Sequence, residues 1–215
     1  MRALVTAVAL VGATATGATI ALTWDRGLGD LRVLGLSLAA LACLNVYPII
    51  FQWKGEAEHI SLDEAFFALL VMTSPPAAAL VAMVAANLVG NLYHRRPPIK
   101  TAFNLGMFAL SAPLALLVTR LIAGSIPVPA DWRGVVAAGA GAATSYVVTT
   151  MGVRVVVAVA EQLPFSRLFV AMNLLEVMIF ASSVSLGLLV GLASSQVTFA
   201  MALGLPSLAV SGFVL

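Results

Sequence analysis

The stretch from Ile60 to Lys100, ISLDEAFFALLVMTSPPAAALVAMVAANLVGNLYHRRPPIK, decides the fold of this chain. It is almost continuously apolar as far as Tyr93, and only Pro75-Pro76 interrupts it. Neither proline can donate a helix hydrogen bond, and a proline disfavours helical geometry in the residue before it, so the sequence predicts two helices. We expect a first helix over Ser61 to Thr73, which is short for a membrane span and so is a thin, tilted or partly re-entrant one, and a second over Ala77 to Tyr93.

The composition places the whole chain in a membrane. Of its 215 residues 61% are hydrophobic and 9% are charged, whereas about a quarter of the residues of a soluble domain carry charge. Since a spanning helix needs about 20 apolar residues, the chain has room for at most about eight spans and none for a folded soluble domain. We therefore expect no enzyme, and the sequence contains no phosphate loop, nucleophile elbow or zinc-protease motif.

Charged residues divide the chain into eight apolar segments. These are Ala3 to Trp24, Leu34 to Trp53, Ser61 to Thr73, Ala77 to Tyr93, Thr101 to Ala123, Val135 to Val159, Leu168 to Ala193 and Thr198 to Leu215. The sequence thus predicts an all-α, polytopic membrane helical bundle of about eight transmembrane segments, or seven if the short third one is re-entrant. Residues 1 to 215 form a single integral membrane domain in this interpretation. Because the last apolar run continues to Leu215, we expect the N-terminal part of a longer protein.

The basic loop Arg95, Arg96 and Lys100 predicts the orientation, because cytoplasmic loops carry an excess of Lys and Arg. With eight crossings, Arg2, Lys54 and Arg167 join this loop on the cytoplasmic side, and Arg26, Arg32 and Arg133 lie outside. We expect a multi-pass protein of the bacterial inner membrane with its C-terminal end in the cytoplasm. The net charge of +2 is then explained by orientation in the lipid bilayer, and we expect no nucleic-acid partner.

Three asparagines fall where hydrocarbon is expected. Asn87 and Asn91 are four residues apart and share one helix face with Arg95. Asn91 and Asn104 are equally far from the turn at Pro97-Pro98 and should therefore meet at one depth. Polar groups within a membrane need partners, so we predict an interhelical amide pair that holds the hairpin, with ligand contact as the alternative.

A second candidate cluster is centred on Arg154. Arg154 precedes the turn at 161–167 by about as many residues as Asn173 follows it, and Glu176 lies one helical turn beyond Asn173. We predict that Arg154 pairs with Glu176 and that Asn173 satisfies remaining donors. The alternative is a pair that senses a proton or a ligand.

Small residues recur at every fourth position late in the chain, at Ser183, Gly187, Gly191 and Ser195. Gly187 and Gly191 form a G-x-x-x-G motif, which permits close approach of another helix. The motif predicts packing within the bundle, with homodimerisation as the alternative. The two histidines, His59 and His94, lie beside no cysteine cluster, so we expect no metal site and no cofactor.

Several short motifs resemble one known membrane module. They are HISLDEA at 59–65, PPAA at 75–78, RRP at 95–97, KTAFN at 100–104 and LS at 110–111. They are similar to the N-terminal multi-spanning input region of bacterial cyclic-di-GMP signalling proteins with HD-GYP phosphohydrolase or GGDEF cyclase domains, and the likeness spans roughly Glu58 to the C-terminus. The chain departs from this pattern at Thr149-Thr150, where such modules often carry asparagine, and in having Arg154. It also lacks the family's catalytic domain, which follows the last helix.

The resemblance implies a sensory input module. Such a module would detect a signal in the inner membrane and relay it to a cytoplasmic output domain, fused or associated at the C-terminal end. The six polar residues named above, Asn87, Asn91, Asn104, Arg154, Asn173 and Glu176, are the candidates for contact with a ligand or signal. The alternative from another class is a small-solute carrier that resembles the substrate-binding subunit of vitamin uptake systems, with Pro75-Pro76 lining its site.

Overall fold

In a computed structural model the described part of the chain is a bundle of seven α-helices with one β-hairpin. The structure describes residues 2–47, 49–53, 56–60, 62–128, 130–162 and 174–196, and within these ranges it leaves out the side chains of 49–60, 174–176 and 195–196. The elements are α1 Arg2–Thr23, a 3-10 turn Trp24–Arg26, α2 Leu31–Val46, β1 Ile49–Trp53, β2 Glu56–Ile60, α3 Asp63–Thr73, α4 Pro76–Tyr93, α5 Pro98–Ala123, α6 Trp132–Glu161 and α7 Leu174–Gln196.

The helical membrane class is confirmed in its general form. Five described helices, α1, α4, α5, α6 and α7, are long and apolar enough to cross a membrane, and they indicate a membrane-spanning protein. The count of about eight crossing segments is not confirmed. Helix α2 has 16 residues and α3 has 11, both shorter than the 20 or so that a full crossing needs, and the predicted segment at 198–215 lies outside the described residues.

The double proline divides two helices as predicted. Helix α3 ends at Thr73, Ser74 is extended with φ −131° and ψ 149°, and α4 begins at Pro76. A proline at the first helical position is tolerated because its missing N–H would have had no helix partner. Every residue of α3 from Ala65 to Met72 is buried, so this short helix lies in the core and its neighbours screen it from the lipid.

The predicted helical segment Leu34 to Trp53 is wrong in its second half. Helix α2 ends at Val46, and Ile49–Trp53 pairs with Glu56–Ile60 as an antiparallel hairpin. Tyr47, with φ −118° and ψ 75°, has left the helical region, because it precedes Pro48 and a proline disfavours helical geometry in the residue before it. β-Branched and aromatic residues then favour a strand.

Contacts between helices fix their directions. Val5 packs against Phe103, and the Thr16 hydroxyl donates a 2.7 Å hydrogen bond to the Ala109 carbonyl, so α1 and α5 are parallel. Arg133 Nε donates to the Ile122 carbonyl at 2.7 Å, so α6 starts where α5 ends. The described helices α1 to α6 therefore run alternately from one end of the bundle to the other.

The two ends of the bundle differ in their residues. The distal end comprises the loops at 24–30, 74–75 and 124–131. Arg26 donates a hydrogen bond from the first loop to the Ile126 carbonyl of the third, and the Val128 N–H of the third loop donates to the Val71 carbonyl near the end of α3. The basic end comprises the start of α1, the β-hairpin, the start of α3, the α4–α5 turn at 94–97 and the end of α6.

Candidate functional site at the basic end

An asparagine chain connects α4 to α5 near the basic end. Asn91 Nδ2 donates to both the backbone oxygen and Oδ1 of Asn87, each at 2.8 Å. Asn104 Nδ2 donates to Asn91 Oδ1, also at 2.8 Å. Asn87 and Asn91 are 6% and 3% exposed, so these bonds replace the water that the amides would lose on burial. The predicted pairing of Asn91 with Asn104 is confirmed.

The same asparagine anchors the α4–α5 turn through its backbone. The Arg96 N–H donates to the Asn91 carbonyl at 3.1 Å, and the Arg95 N–H donates to the Leu92 carbonyl at 3.0 Å. These two bonds form a Schellman motif, which satisfies the last carbonyls of a helix. Pro97 and Pro98 follow and prevent continuation of α4. Side chain and backbone of Asn91 thus fix α5 and the basic turn relative to α4.

A second polar group joins α2, α3 and α4 at the same end. Asn45 Nδ2 donates to the Leu41 carbonyl at 3.0 Å and lies 3.5 Å from Asp63 Oδ1. His94 Nε2 lies 3.2 Å from the Asn45 carbonyl oxygen, which can only accept, so this nitrogen carries the proton. Gly90 allows the contact, because a Cβ there would lie 2.7 Å from the Cβ of Asn45.

Two ionisable groups beside this cluster have shifted pKa values. Glu64 is the second residue of α3, which is not among the candidate spans. Its burial, and the negative charge of the neighbouring Asp63, raise its pKa to about 7. Tyr47 follows the end of α2, and a hydrogen bond with Tyr93 raises the pKa of its phenol. The basic end therefore has, beside this cluster, a carboxyl group whose pKa lies near neutral pH.

The beginning of α3 is in direct contact with α7. A Cβ at Gly187 would overlap the Ala65 carbonyl, and one at Gly191 would lie 2.6 Å from the sulfur of Met72. The later glycine of α7 meets the later residue of α3, so the two helices run parallel. The predicted packing of the G-x-x-x-G motif within the bundle is confirmed, and this face of α7 is occupied by α3 of the same chain.

The second predicted cluster is placed only in part. Arg154 lies in α6, is half-buried and makes an interaction within the protein. The rings of Tyr146 and Phe180 are in tilted contact with their centroids 4.8 Å apart, so α6 contacts α7 at Tyr146. Asn173 and the side chain of Glu176 lie outside the described part of the structure, and the Arg154–Glu176 pair remains a prediction.

Sequence reasoning missed the Asn45, Asp63 and His94 cluster. Asn45 falls inside the predicted apolar segment Leu34 to Trp53, and Asp63 inside the predicted helix Ser61 to Thr73, and nothing in the two patterns brings them together. The polar residue two positions before Tyr47-Pro48 was the available signal that α2 ends there. Among the described residues, no three His, Cys, Asp or Glu side chains are placed to hold a metal ion.

Comparison with known proteins gives no relative. No protein-family model matches the chain, and neither the curated proteins nor the solved structures include one that is significantly similar.

Proposed function

We propose that this chain is a membrane-embedded sensory input module that detects a small apolar ligand or a property of the bilayer and relays it to a cytoplasmic output domain. One arrangement supports the proposal above the others. The buried helix α3 starts in the polar cluster of the basic end and packs backbone to backbone against α7, at Ala65 and Gly187. A change at the cluster would therefore move α7.

Such a relay requires two packings of the bundle that a stimulus stabilises unequally. Closely packed helices change by discrete shifts, because their interfaces do not deform continuously. With no side chain at Gly187 to absorb a displacement, α3 and α7 should move as a unit. Hydrogen bonds of the asparagine chain would keep α4 and α5 fixed while this unit moves.

The proposed location is the bacterial inner membrane. The positive-inside rule supports a cytoplasmic basic end, because Arg2, Arg95, Arg96 and Lys100 all belong to it. We propose eight apolar segments in total, α1 to α7 and one over 198–215, with α2 and α3 as a pair shorter than full crossings. These two run in opposite directions, so the orientation of the remaining helices does not depend on them. The C-terminal end would then be cytoplasmic.

The resemblance at 59–65, 75–78 and 95–104 supports a cyclic-di-GMP type of output. The test is to delete the gene in its host, restore it with wild type or with Gly187→Leu, and measure cellular cyclic-di-GMP. We expect deletion to change the level several-fold and the variant to fail to restore it although it reaches the membrane. Equal cyclic-di-GMP in all strains would contradict this output.

The relay itself can be tested on the purified chain. Spin labels at Leu189 on α7 and Leu92 on α4, both 64% exposed, would report the distance between the two helices in a Cys43→Ser background. We expect the distance distribution to shift between nanodiscs of short-chain and long-chain lipids. Identical distributions in all bilayers and with all apolar ligands tried would contradict a sensor.

An open groove gives the alternative function, a small-solute carrier, some support. It has a volume of about 310 Å³ and lies between the start of α3 and α7, lined by Leu62, Met178, Ile179, Ser182, Ser183 and Leu186. This volume is at the lower end of the range for ligand sites. Solute uptake into proteoliposomes, abolished by Ser183→Leu, would favour the carrier.

A further inference from the structure

The basic turn holds an arginine in a conformation that arginine rarely adopts. Arg95 has φ 48°, in the left-handed region, and occupies the position of the Schellman motif where glycine is usual. An L-residue is disfavoured there because its Cβ crowds the following carbonyl, whereas glycine has no such penalty. At the end of α5 the chain does use glycine, with Gly124 at φ 83°.

A guanidinium at this position therefore needs a reason other than chain geometry. Attraction to the C-terminus of α4 is one, but Arg96 and His94 offer positive or polar side chains there without a left-handed residue. The sequence thus retains charge at the one turn position where glycine would stabilise the fold.

Among the described residues, four cations lie at this end. Arg2, Arg95, Arg96 and Lys100 are all exposed. None of them forms an ion pair with a carboxylate in the part of the chain that the structure describes. Asp63 and Glu64 belong to the start of α3, inside the bundle. Over the described ranges the turn is therefore a basic surface without a salt bridge.

The surroundings of the turn match the interface of a bilayer. Leu92, Tyr93 and Ile99 flank the cations and are 64%, 57% and 38% exposed. Tyr47 and Tyr93 lie together, with ring centroids 6.0 Å apart. Tyrosine favours the headgroup layer, so the cations beside it are at the depth of lipid phosphates. The asparagine chain fixes the helices α4 and α5 that carry these cations.

We propose that the α4–α5 turn is a binding site for the phosphate-bearing headgroup of an anionic phospholipid. The Arg95 guanidinium is the principal contact, and Arg96 and Lys100 supply additional charge. Guanidinium and phosphate match in bidentate geometry, and basic surfaces beside membrane helices bind anionic headgroups. This site is independent of whether the chain is a sensor or a carrier.

The test compares Arg95→Gly with wild type in nanodiscs of phosphatidylcholine alone and with phosphatidylglycerol added. Glycine relieves the left-handed residue, so in phosphatidylcholine we expect the variant to melt at or above the wild-type temperature. The rise in melting temperature that phosphatidylglycerol gives wild type should fall by at least half. Native mass spectrometry of the detergent-purified proteins counts the bound phosphatidylglycerol. We expect the affinity of the variant for this lipid to be roughly tenfold lower than that of wild type.

Arg120→Gln is the matched control, because it removes one exposed charge at the distal end and should leave the phosphatidylglycerol effect unchanged. If Arg95→Gly fails to fold, Arg95→Asn makes the same test, since asparagine tolerates the left-handed region. If the variant loses as much melting temperature relative to wild type in phosphatidylcholine as it does with phosphatidylglycerol, the arginine has a purely structural role. That result would overturn the proposal. Inorganic phosphate should not stabilise the protein in detergent; if it reproduces the lipid effect, the lipid assignment is wrong.

Discussion

Asn104 donates a 2.8 Å hydrogen bond to the side-chain oxygen of Asn91 across the α4–α5 turn. Asn91 in turn accepts the Arg96 N–H on its backbone oxygen and donates to Asn87. One buried residue therefore joins two helices and a turn. This explains why three amides are tolerated in an otherwise apolar hairpin.

Replacing Asn91 by Leu should lower the free energy of unfolding by about 1 to 2 kcal/mol, because it leaves the Asn104 donor and the Asn87 carbonyl without their partner. The double variant Asn91→Leu with Asn104→Leu should be less destabilised than the sum of the single variants, since both partners are removed together. Unfolding in mixed micelles measures all three. Leu92→Ala, at an exposed position one residue away, is the control and should change stability by less than about 0.5 kcal/mol. Strict additivity would mean that the bond contributes nothing.

Gly187→Ala should destabilise the protein by about 1 to 3 kcal/mol, because the added methyl group overlaps the Ala65 backbone and neither helix can yield locally. Gly35→Ala in α2 is the matched control, because apart from the backbone of its own helix no atom lies within 4 Å of a Cβ there. That substitution should stabilise by about 0.5 to 1 kcal/mol through helix propensity. Thermal melting of both variants checks the contrast, and equal effects would show that α3 and α7 do not pack in this way.

Stability should fall as the pH rises from about 4.5 to about 7. The unfolded chain ionises Glu64 near its ordinary pKa of 4.5, whereas the folded protein keeps it neutral up to about 7. Between these values the folded state binds more protons, so its stability decreases with pH and levels off above pH 7. The change is on the order of 3 kcal/mol, because each unit of pKa difference corresponds to about 1.4 kcal/mol.

Melting temperatures of wild type and Glu64→Gln between pH 4.5 and 8.5 test this. Glutamine cannot ionise, so the variant should lose the decline and be the more stable protein at pH 8. A wild-type decline that persists in Glu64→Gln would assign the titration to another group.

The orientation can be tested with single cysteines in a Cys43→Ser background. A membrane-impermeant maleimide added to intact cells should label Ser125→Cys at the distal end and leave Lys100→Cys at the basic end unlabelled, because we place the basic end in the cytoplasm. Lysis should make Lys100→Cys reactive. The reverse pattern would invert the proposed topology.

The positions of most helices could be predicted from the sequence. In a bilayer each backbone polar group must be satisfied within its own segment, so the apolar runs and the double proline fixed where α3 and α4 end. The residue count around Pro97-Pro98 also predicted the Asn91–Asn104 contact, because a tight turn leaves two antiparallel helices only one register. The β-hairpin of Ile49–Trp53 and Glu56–Ile60 was not predicted, because the apolar residues after Val46 are compatible with a longer α2 as well as with a strand.

Only the tertiary structure decided which helix faces meet. In water the polar residues of an amphipathic helix identify its exposed face, and hence also its buried one. Lipid is as apolar as the protein core, so the sequences of α3 and α7 do not distinguish a buried face from a lipid-facing one. The contact of Gly187 with Ala65, the contact of Asn45 with Gly90 and the left-handed backbone of Arg95 all depend on the tertiary structure. The sequence by itself determined a bundle of membrane helices with a basic turn, and packing determined where its polar residues come together.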